Sequence, residues 1–138
     1  MARSLVIAGA VLFLLGLLQG GVVQLHLNPR MALSAHLTAV QSGTALMVAG
    51  AVWPLVNLQP RWQVATRLAL ALSMFGLWLA LTLAALTGAN EGLPMAGAGY
   101  GAAETAERMV TLLVGLSGIL MIAGWSLFVV GLIRRPPR

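Results

Sequence analysis

The chain has 138 residues, enough for one domain, with 59% hydrophobic and only 8% charged side chains and a mean hydropathy of +0.93. Soluble domains carry roughly 25% charged residues, so the composition predicts an integral membrane protein. The formal net charge of +5 comes from arginines at the ends of apolar segments, which does not indicate nucleic-acid binding. The absence of cysteine excludes disulfides, iron–sulfur clusters and thiolate-ligated haem.

Four apolar segments are long enough to cross a bilayer, which takes about 20 residues per helix. They lie at about 5–25, 31–56, 63–86 and 109–133. The first follows Arg3 as in a signal peptide, but no clear small-x-small cleavage site follows, so we interpret it as an uncleaved span. The first two connections are short and make sequential helices antiparallel neighbours. The predicted fold is all-α, a single membrane domain built as a four-helix bundle.

The third connection, 87–108, differs from the other two. It is long and glycine-rich, and it holds the only tyrosine, Tyr100, and every acid of the chain: Glu91, Glu104 and Glu107. Long loops in compact proteins are often functional lids, although a disordered Gly/Ala loop is the alternative.

The arginines predict the orientation in the membrane. Six of the eight arginines lie on one predicted side of the membrane: Arg3, Arg61, Arg67, Arg134, Arg135 and Arg138. Arg30 and Arg108 lie on the other side with the glutamates. The excess of positive charge on one side predicts that both termini are cytoplasmic. The predicted location is a bacterial-type inner membrane, which the chain crosses several times. Trp53 and Trp62 flank the second connection, as aromatic residues at a membrane interface do.

One histidine, His36, stands near the start of the second apolar segment, about 8 Å below its non-cytoplasmic end and on the same side as the long loop. Three interpretations are open: a structural residue hydrogen-bonded to a neighbouring helix, a proton relay, and a metal or haem ligand. Ser34, Thr38 and Gln41 share one stripe of the helix, and His36 lies off that stripe. Polar groups that face more than one direction favour an interface between subunits.

Other polar residues are weaker candidates. His26 is interpreted as a solvated loop histidine, and no third ligand supports a zinc site. Arg30 and Arg108 lie on the side of His36, where they either pair with haem propionates or serve only as topology charges. Tyr100 either donates a hydrogen bond to a ligand oxygen or simply packs in the loop.

The stretch from Met31 to Thr44, MALSAHLTAVQSGT, followed by Gly50 to Pro54, resembles the second helix of hydroxylaminobenzene mutases. These small membrane enzymes are related to styrene oxide isomerases, and the resemblance covers the whole four-span layout. It implies a homotrimer with haem b at the subunit interfaces, held by a histidine that His36 matches. In such a site the ferric iron acts as a Lewis acid without net redox change.

The resemblance also implies roles for other residues. In the isomerases an asparagine six residues after the histidine orients the substrate, and here that position is Ser42. The shorter side chain favours an oxygen-bearing substrate other than an epoxide. Tyr100 is the match for a loop tyrosine of the isomerases, with Asn90 or Glu91 as supporting groups.

The function predicted on this basis is the conversion of hydroxylaminobenzene to 2-aminophenol by intramolecular hydroxyl transfer. His36 is the predicted axial ligand of ferric haem b, and Ser42 and Tyr100 are the predicted substrate-orienting donors. The alternatives are an epoxide-to-aldehyde isomerase, a non-catalytic subunit that anchors a partner or binds haem for electron transfer, and a small transporter. The predicted partners are a small aromatic substrate, the lipid bilayer and further copies of the chain, and not nucleic acid.

Overall fold

The computed structural model describes residues 2–134, which form five α-helices in chain order: α1 Ala2–Gly21, α2 Pro29–Ala51, α3 Pro60–Thr87, α4 Pro94–Gly97 and α5 Glu104–Ile133. Two short 3-10 turns follow α1 and α2, at Val23–Leu25 and Trp53–Leu55. The predicted all-α fold class is confirmed. Arg135 and Arg138, which the sequence assigns to one side of the membrane, lie outside the described residues.

The four long helices pack in chain order. α1 packs on α2, α2 on α3, and α3 on α5, and α1 also touches α3, while within residues 2–134 no extensive contact joins α1 to α5. Buried apolar side chains form two clusters, one around Leu12, Leu46 and Leu70 and the other around Met31 and Leu81. We call the end of the molecule with the connection between α3 and α5 the loop end. The opposite end, which carries the short connection between α2 and α3, is the arginine end.

The protein is a membrane protein, because three helical segments are long and apolar enough to cross a bilayer: Arg3–Gly21, Pro60–Thr87 and Glu104–Ile133. Large apolar side chains are exposed along them, including Leu18, Ile119 and Ile122, as contact with lipid requires. α2 has 23 residues and is long enough, but its polar side chains make it less apolar than the other three. The fourth predicted span therefore stays a prediction.

Two helices end earlier than hydropathy indicated. α2 ends at Ala51 rather than near residue 56, because Pro54 cannot continue the backbone hydrogen-bonding of an α-helix, and a 3-10 turn replaces it. α1 ends at Gly21 rather than near residue 25, since glycine favours helix ends.

The loop is shorter than the predicted 87–108, because α5 begins at Glu104 rather than near residue 109. Glu104 and Glu107 occupy its first turn, where the helix dipole stabilises negative charge. The loop therefore runs from Gly88, which ends α3 with a φ of +84°, through the short helix α4 to Ala103.

Trp53 lies in the core, although the sequence placed it at an interface. It is only 5% exposed, and its ring centroid lies 5.9 Å from that of Phe128. The guanidinium carbon of Arg67 lies 5.5 Å from the Trp53 ring centroid. Trp62 is 44% exposed, which fits an interfacial aromatic residue.

Candidate functional site

His36 projects from α2 towards α1 and is half-buried, about 10 Å along the helix from Pro29. Its Nδ1–H donates a hydrogen bond of 2.7 Å to the carbonyl oxygen of Gly16. Because a carbonyl only accepts, Nδ1 carries the proton, and in the neutral ring Nε2 keeps its lone pair. Within residues 2–134 the imidazole makes no other hydrogen bond, so the lone pair of Nε2 is left without a hydrogen-bond partner.

Glycines let the imidazole reach the backbone of α1. A Cβ on Gly20 would lie 2.8 Å from both Cε1 and Nδ1 of His36, and a Cβ on Gly16 would lie 2.8 Å from the Cβ of Ala39. The small-xxx-small pattern at Gly16 and Gly20 therefore lies in the contact between α1 and α2, as such patterns do where membrane helices approach closely.

Glu107 organises the loop from inside the protein, with only 4% of the residue exposed. Its carboxylate accepts the backbone N–H of Asn90 at 2.9 and 3.0 Å, of Glu91 at 3.0 Å and of Ala102 at 3.2 Å. These amides come from both ends of the loop, so one buried carboxylate closes the base of the loop. Sequence reasoning counted Glu107 only among the loop acids and missed this role.

Asn90, Tyr100 and Arg30 are brought together where the loop covers the start of α2. The side-chain amide of Asn90 donates to the carbonyl of Tyr100, and the guanidinium of Arg30 donates to the carbonyl of Ala98. The guanidinium carbon of Arg30 lies 6.0 Å from the Tyr100 ring centroid, a cation–π contact. The loop is therefore ordered and lies over the end of the helix that carries His36, as the topology predicted.

Asn28 sets the start of α2 and was also missed. It is fully buried, and its side-chain oxygen accepts the N–H of Met31 at 3.1 Å, which makes it the N-cap of the helix. Its side-chain amide donates to the carbonyl of Ala96 at 2.9 Å, and its backbone N–H donates to the carbonyl of Ala85 at 3.0 Å. One residue thus ties α2 to the loop and to the end of α3.

We expect Asn28→Ala to lower the free energy of unfolding by about 2–4 kcal/mol, because it removes the cap and leaves the Ala96 carbonyl without its buried donor. Asn28→Ser is the matched control: its hydroxyl still caps Met31 while the donor to Ala96 is lost, so it should cost less. Thermal unfolding in detergent measures both variants. If Asn28→Ala unfolded at the same temperature as the natural protein, the capping role would be contradicted.

Glu91 and Arg108 meet on the α5 side of the loop end. They line a surface cavity of about 320 Å³ together with Thr111. Arg108 also pairs with Glu104 one turn earlier, and both side chains are exposed. This cavity is lined by the loop and α5 and by no residue of α1 or α2, so His36 is not part of it within one copy of the chain.

Polar side chains of α2 face different directions. Ser42 is 8% exposed, about 9 Å further along the helix than His36 and about 120° around it, so it faces the interior. Gln41 and Thr44 are exposed. A single copy of the chain therefore does not bring Ser42 next to the imidazole.

A buried polar network at Gln19 joins α1 to α3 and was not predicted. The indole Nε1–H of Trp78 donates to Oε1 of Gln19 at 2.7 Å, and Nε2 of Gln19 donates to the hydroxyl of Thr82 at 3.1 Å. Gln19 precedes Gly20, so the network holds the stretch of α1 on which the ring of His36 rests. The sequence signal that could have predicted this network is Gln19 itself, a polar side chain inside an apolar span.

A separate cavity of about 380 Å³ lies between α1 and α3 towards the arginine end, lined by residues that include Leu5, Arg67 and Leu68. It is lined by neither α2 nor the loop. The candidate site is therefore the surface formed by His36 and the loop end, and not this cavity.

The described residues form a small helical membrane protein in which a loop lies over the end of the helix that carries His36. Residues 1–133 match the family model described as styrene oxide isomerase, and the chain belongs to this family. No solved structure matches the chain.

Two similar proteins from Ectopseudomonas oleovorans extend this result. The chain is 37% identical over 135 residues to hydroxylaminobenzene mutase HabA, covering 97% of this chain and 100% of that protein. It is 32% identical over 142 residues to hydroxylaminobenzene mutase HabB, covering 100% of this chain and 85% of that protein. The predicted family is confirmed, and the chain is an enzyme of the isomerase or intramolecular transferase class.

Proposed function

We propose that the protein converts hydroxylaminobenzene into 2-aminophenol by moving the hydroxyl group within one molecule. The N–O bond breaks, a C–O bond forms at the ortho carbon, that carbon loses a proton and the nitrogen gains one. Substrate and product are isomers, so no oxidant or reductant is consumed. The observation that carries the proposal is the state of His36: Nδ1–H is hydrogen-bonded to the Gly16 carbonyl, and the Nε2 lone pair has no partner. The chain is also similar to two proteins named hydroxylaminobenzene mutase.

Two features around His36 support ferric haem b as the proposed cofactor. Histidines that ligate metals almost always donate their other ring N–H to a carbonyl, a carboxylate or water, as His36 does to Gly16. Leu33 and Leu37, each 48% exposed on the same helix, offer apolar surface to a macrocycle. When bound, haem would supply a Lewis acid for the hydroxylamine oxygen in surroundings that exclude water.

The protein's own donors would orient the substrate. The hydroxyl of Tyr100 is proposed to hold the substrate oxygen, with Asn90 and Glu91 as supporting groups. The bond from Asn90 to the Tyr100 carbonyl supports this role, because it limits the motion of the loop that carries the tyrosine. Ser42 faces the interior of its own subunit, so its role as a second donor stays a prediction.

We further propose a homotrimer with haem at the subunit interfaces, where Arg30 and Arg108 pair with the carboxylates of the cofactor. His36 lies on the α1–α2 side and Arg108 on the α5 side, so a haem between two copies could contact His36 of one copy and Arg108 of the other. The exposed amide of Gln41 supports an interface on α2, since such a group is costly in lipid and hydrogen-bonds well between helices.

The same assembly accounts for the polarity of α2. Its 23 residues are enough to cross the bilayer as a fourth span if its polar side chains face other subunits rather than lipid. Arg3, Arg61 and Arg134 then lie at the cytoplasmic face of a bacterial-type inner membrane, with both termini cytoplasmic.

Purified protein in detergent should convert hydroxylaminobenzene to 2-aminophenol without added oxidant or reductant. In water enriched with oxygen-18 the product should stay unlabelled, because the transferred oxygen never leaves the site. Lack of product, or full incorporation of solvent oxygen, would contradict intramolecular transfer. An absorption spectrum after haem-replete expression should show a Soret band, and its absence would overturn the cofactor assignment.

A second candidate is isomerisation of an epoxide to an aldehyde, favoured by the family model over residues 1–133. The same Lewis-acid chemistry opens the C–O bond of an epoxide. Because Ser42 replaces the asparagine of the isomerases, we expect hydroxylaminobenzene to be preferred over styrene oxide by at least about 10-fold in kcat/KM. The opposite preference on one preparation would select the second candidate.

A further inference from the structure

Gly20 differs from the other glycines of α1 in what surrounds it. A Cβ on Gly9 or Gly16 would meet atoms of α2 that set the distance between the two helices, the nearest at 2.5 and 2.8 Å. The three atoms nearest to a Cβ on Gly20 all belong to the imidazole of His36. Gly21, the next residue, has nothing within 4 Å of such an atom.

The edge of the ring that faces Gly20 holds both nitrogens. A Cβ there would lie 2.8 Å from Nδ1 and Cε1 and 3.3 Å from Nε2. Nδ1 donates a hydrogen bond to the Gly16 carbonyl, and Nε2 carries the lone pair that has no partner. A methyl group at position 20 would therefore push the ring away from the Gly16 carbonyl and stand beside Nε2. The imidazole is rigid and cannot bend out of the way as a flexible side chain can.

We propose that Gly20 is a positioning residue whose missing side chain seats His36 with Nδ1 protonated and Nε2 open to a metal. The identity of that metal rests on the proposed function. The position of the His36 ring and its tautomer are properties of the protein without a cofactor. Gly16 and Gly20 then have different roles: Gly16 accepts the hydrogen bond and lets the helices approach, and Gly20 makes room for the ring.

Nitrogen-15 NMR of haem-free, histidine-labelled protein measures the tautomer directly. His26→Asn removes the only other histidine, so a single imidazole remains. In the His26→Asn protein we expect Nδ1 of His36 to be protonated. Adding Gly21→Ala should leave this tautomer unchanged, whereas adding Gly20→Ala should remove the preference for it. An Nε2-protonated ring in the parent, or the same spectrum in both alanine variants, would overturn the proposal.

A double substitution keeps the test decisive if Gly20→Ala folds poorly. Because the clash is with the ring, Gly20→Ala should lower the melting temperature when His36 is present and not when His36→Ala has removed it. Gly21→Ala should leave the melting temperature unchanged in both backgrounds. If Gly20→Ala also lowered the melting temperature in the His36→Ala background, the role of Gly20 would be helix packing, and the proposal would be overturned.

Haem titration separates this role from the proposed function. We expect Gly20→Ala to bind haem about 10–100-fold more weakly than Gly21→Ala, the usual effect of disturbing the contacts that support a metal ligand. Equal affinities would overturn the role of Gly20 and leave the haem assignment intact. If the natural protein binds no haem, the haem assignment fails, and the tautomer measurement still decides whether Gly20 seats the ring.

Discussion

Replacing His36 by alanine is expected to abolish haem binding and to lower mutase kcat/KM by at least about 100-fold, since even the loss of a ligand's supporting contact costs 10–100-fold. The fold should survive the change. The side chain is half-buried, and the Gly16 carbonyl that loses its donor still lies within a helix. The measurements are the ratio of Soret to protein absorbance and the rate of 2-aminophenol formation in the same preparation.

His26→Ala is the matched control for that experiment. Nδ1 of His26 donates to the carbonyl of Val22 at 3.0 Å, a local contact in the first connection, so its loss should leave haem content unchanged. His36→Gly should regain haem when free imidazole is added, because the space left by the ring admits the missing ligand. Full haem content and activity in His36→Ala would show that the ligand is another residue.

The sequence alone pointed to the region of the candidate site, because an ionisable side chain in an apolar segment is rare and costly. Short connections and arginine positions also placed His36 at the same end as the long loop, where Tyr100 and Asn90 now lie. The direction of the ring was not predictable. It depends on Gly16, 20 residues away on another helix, and on the close approach that Gly20 permits.

The remaining gaps have the same physical origin. Hydropathy marks apolar stretches and not hydrogen-bond partners, so α5 was expected to begin at residue 109, after the glutamates, although the helix dipole favours acids in a first turn. The hydrogen bonds that Asn90 and Glu91 donate to Glu107 join residues 17 and 16 positions apart. Those from Gln19 to Trp78 and Thr82 span 59 and 63 positions. Sequence spacing within one element does not predict such pairs.

Glu107→Gln is expected to open the loop and lower the melting temperature, because backbone N–H groups bond more strongly to a carboxylate than to a neutral amide oxygen. Glutamine keeps one acceptor oxygen and turns the other position into a donor that faces backbone N–H groups. The amides of Asn90, Glu91 and Ala102 should then exchange with solvent faster. Hydrogen-exchange mass spectrometry of the loop, with thermal unfolding, measures both effects.

Glu104→Gln separates loss of this anchor from a general loss of charge. Glu104 lies in the same turn of α5, but its side chain is 75% exposed and pairs with Arg108 across one helical turn. Such exposed pairs stabilise a helix by only about 0.3–0.5 kcal/mol, so exchange in the loop should stay near the natural rate. Because Tyr100 is carried by the loop that Glu107 closes, mutase activity should fall in Glu107→Gln and not in Glu104→Gln. Equal exchange and equal activity in the two variants would mean that the loop is held by contacts other than the buried carboxylate.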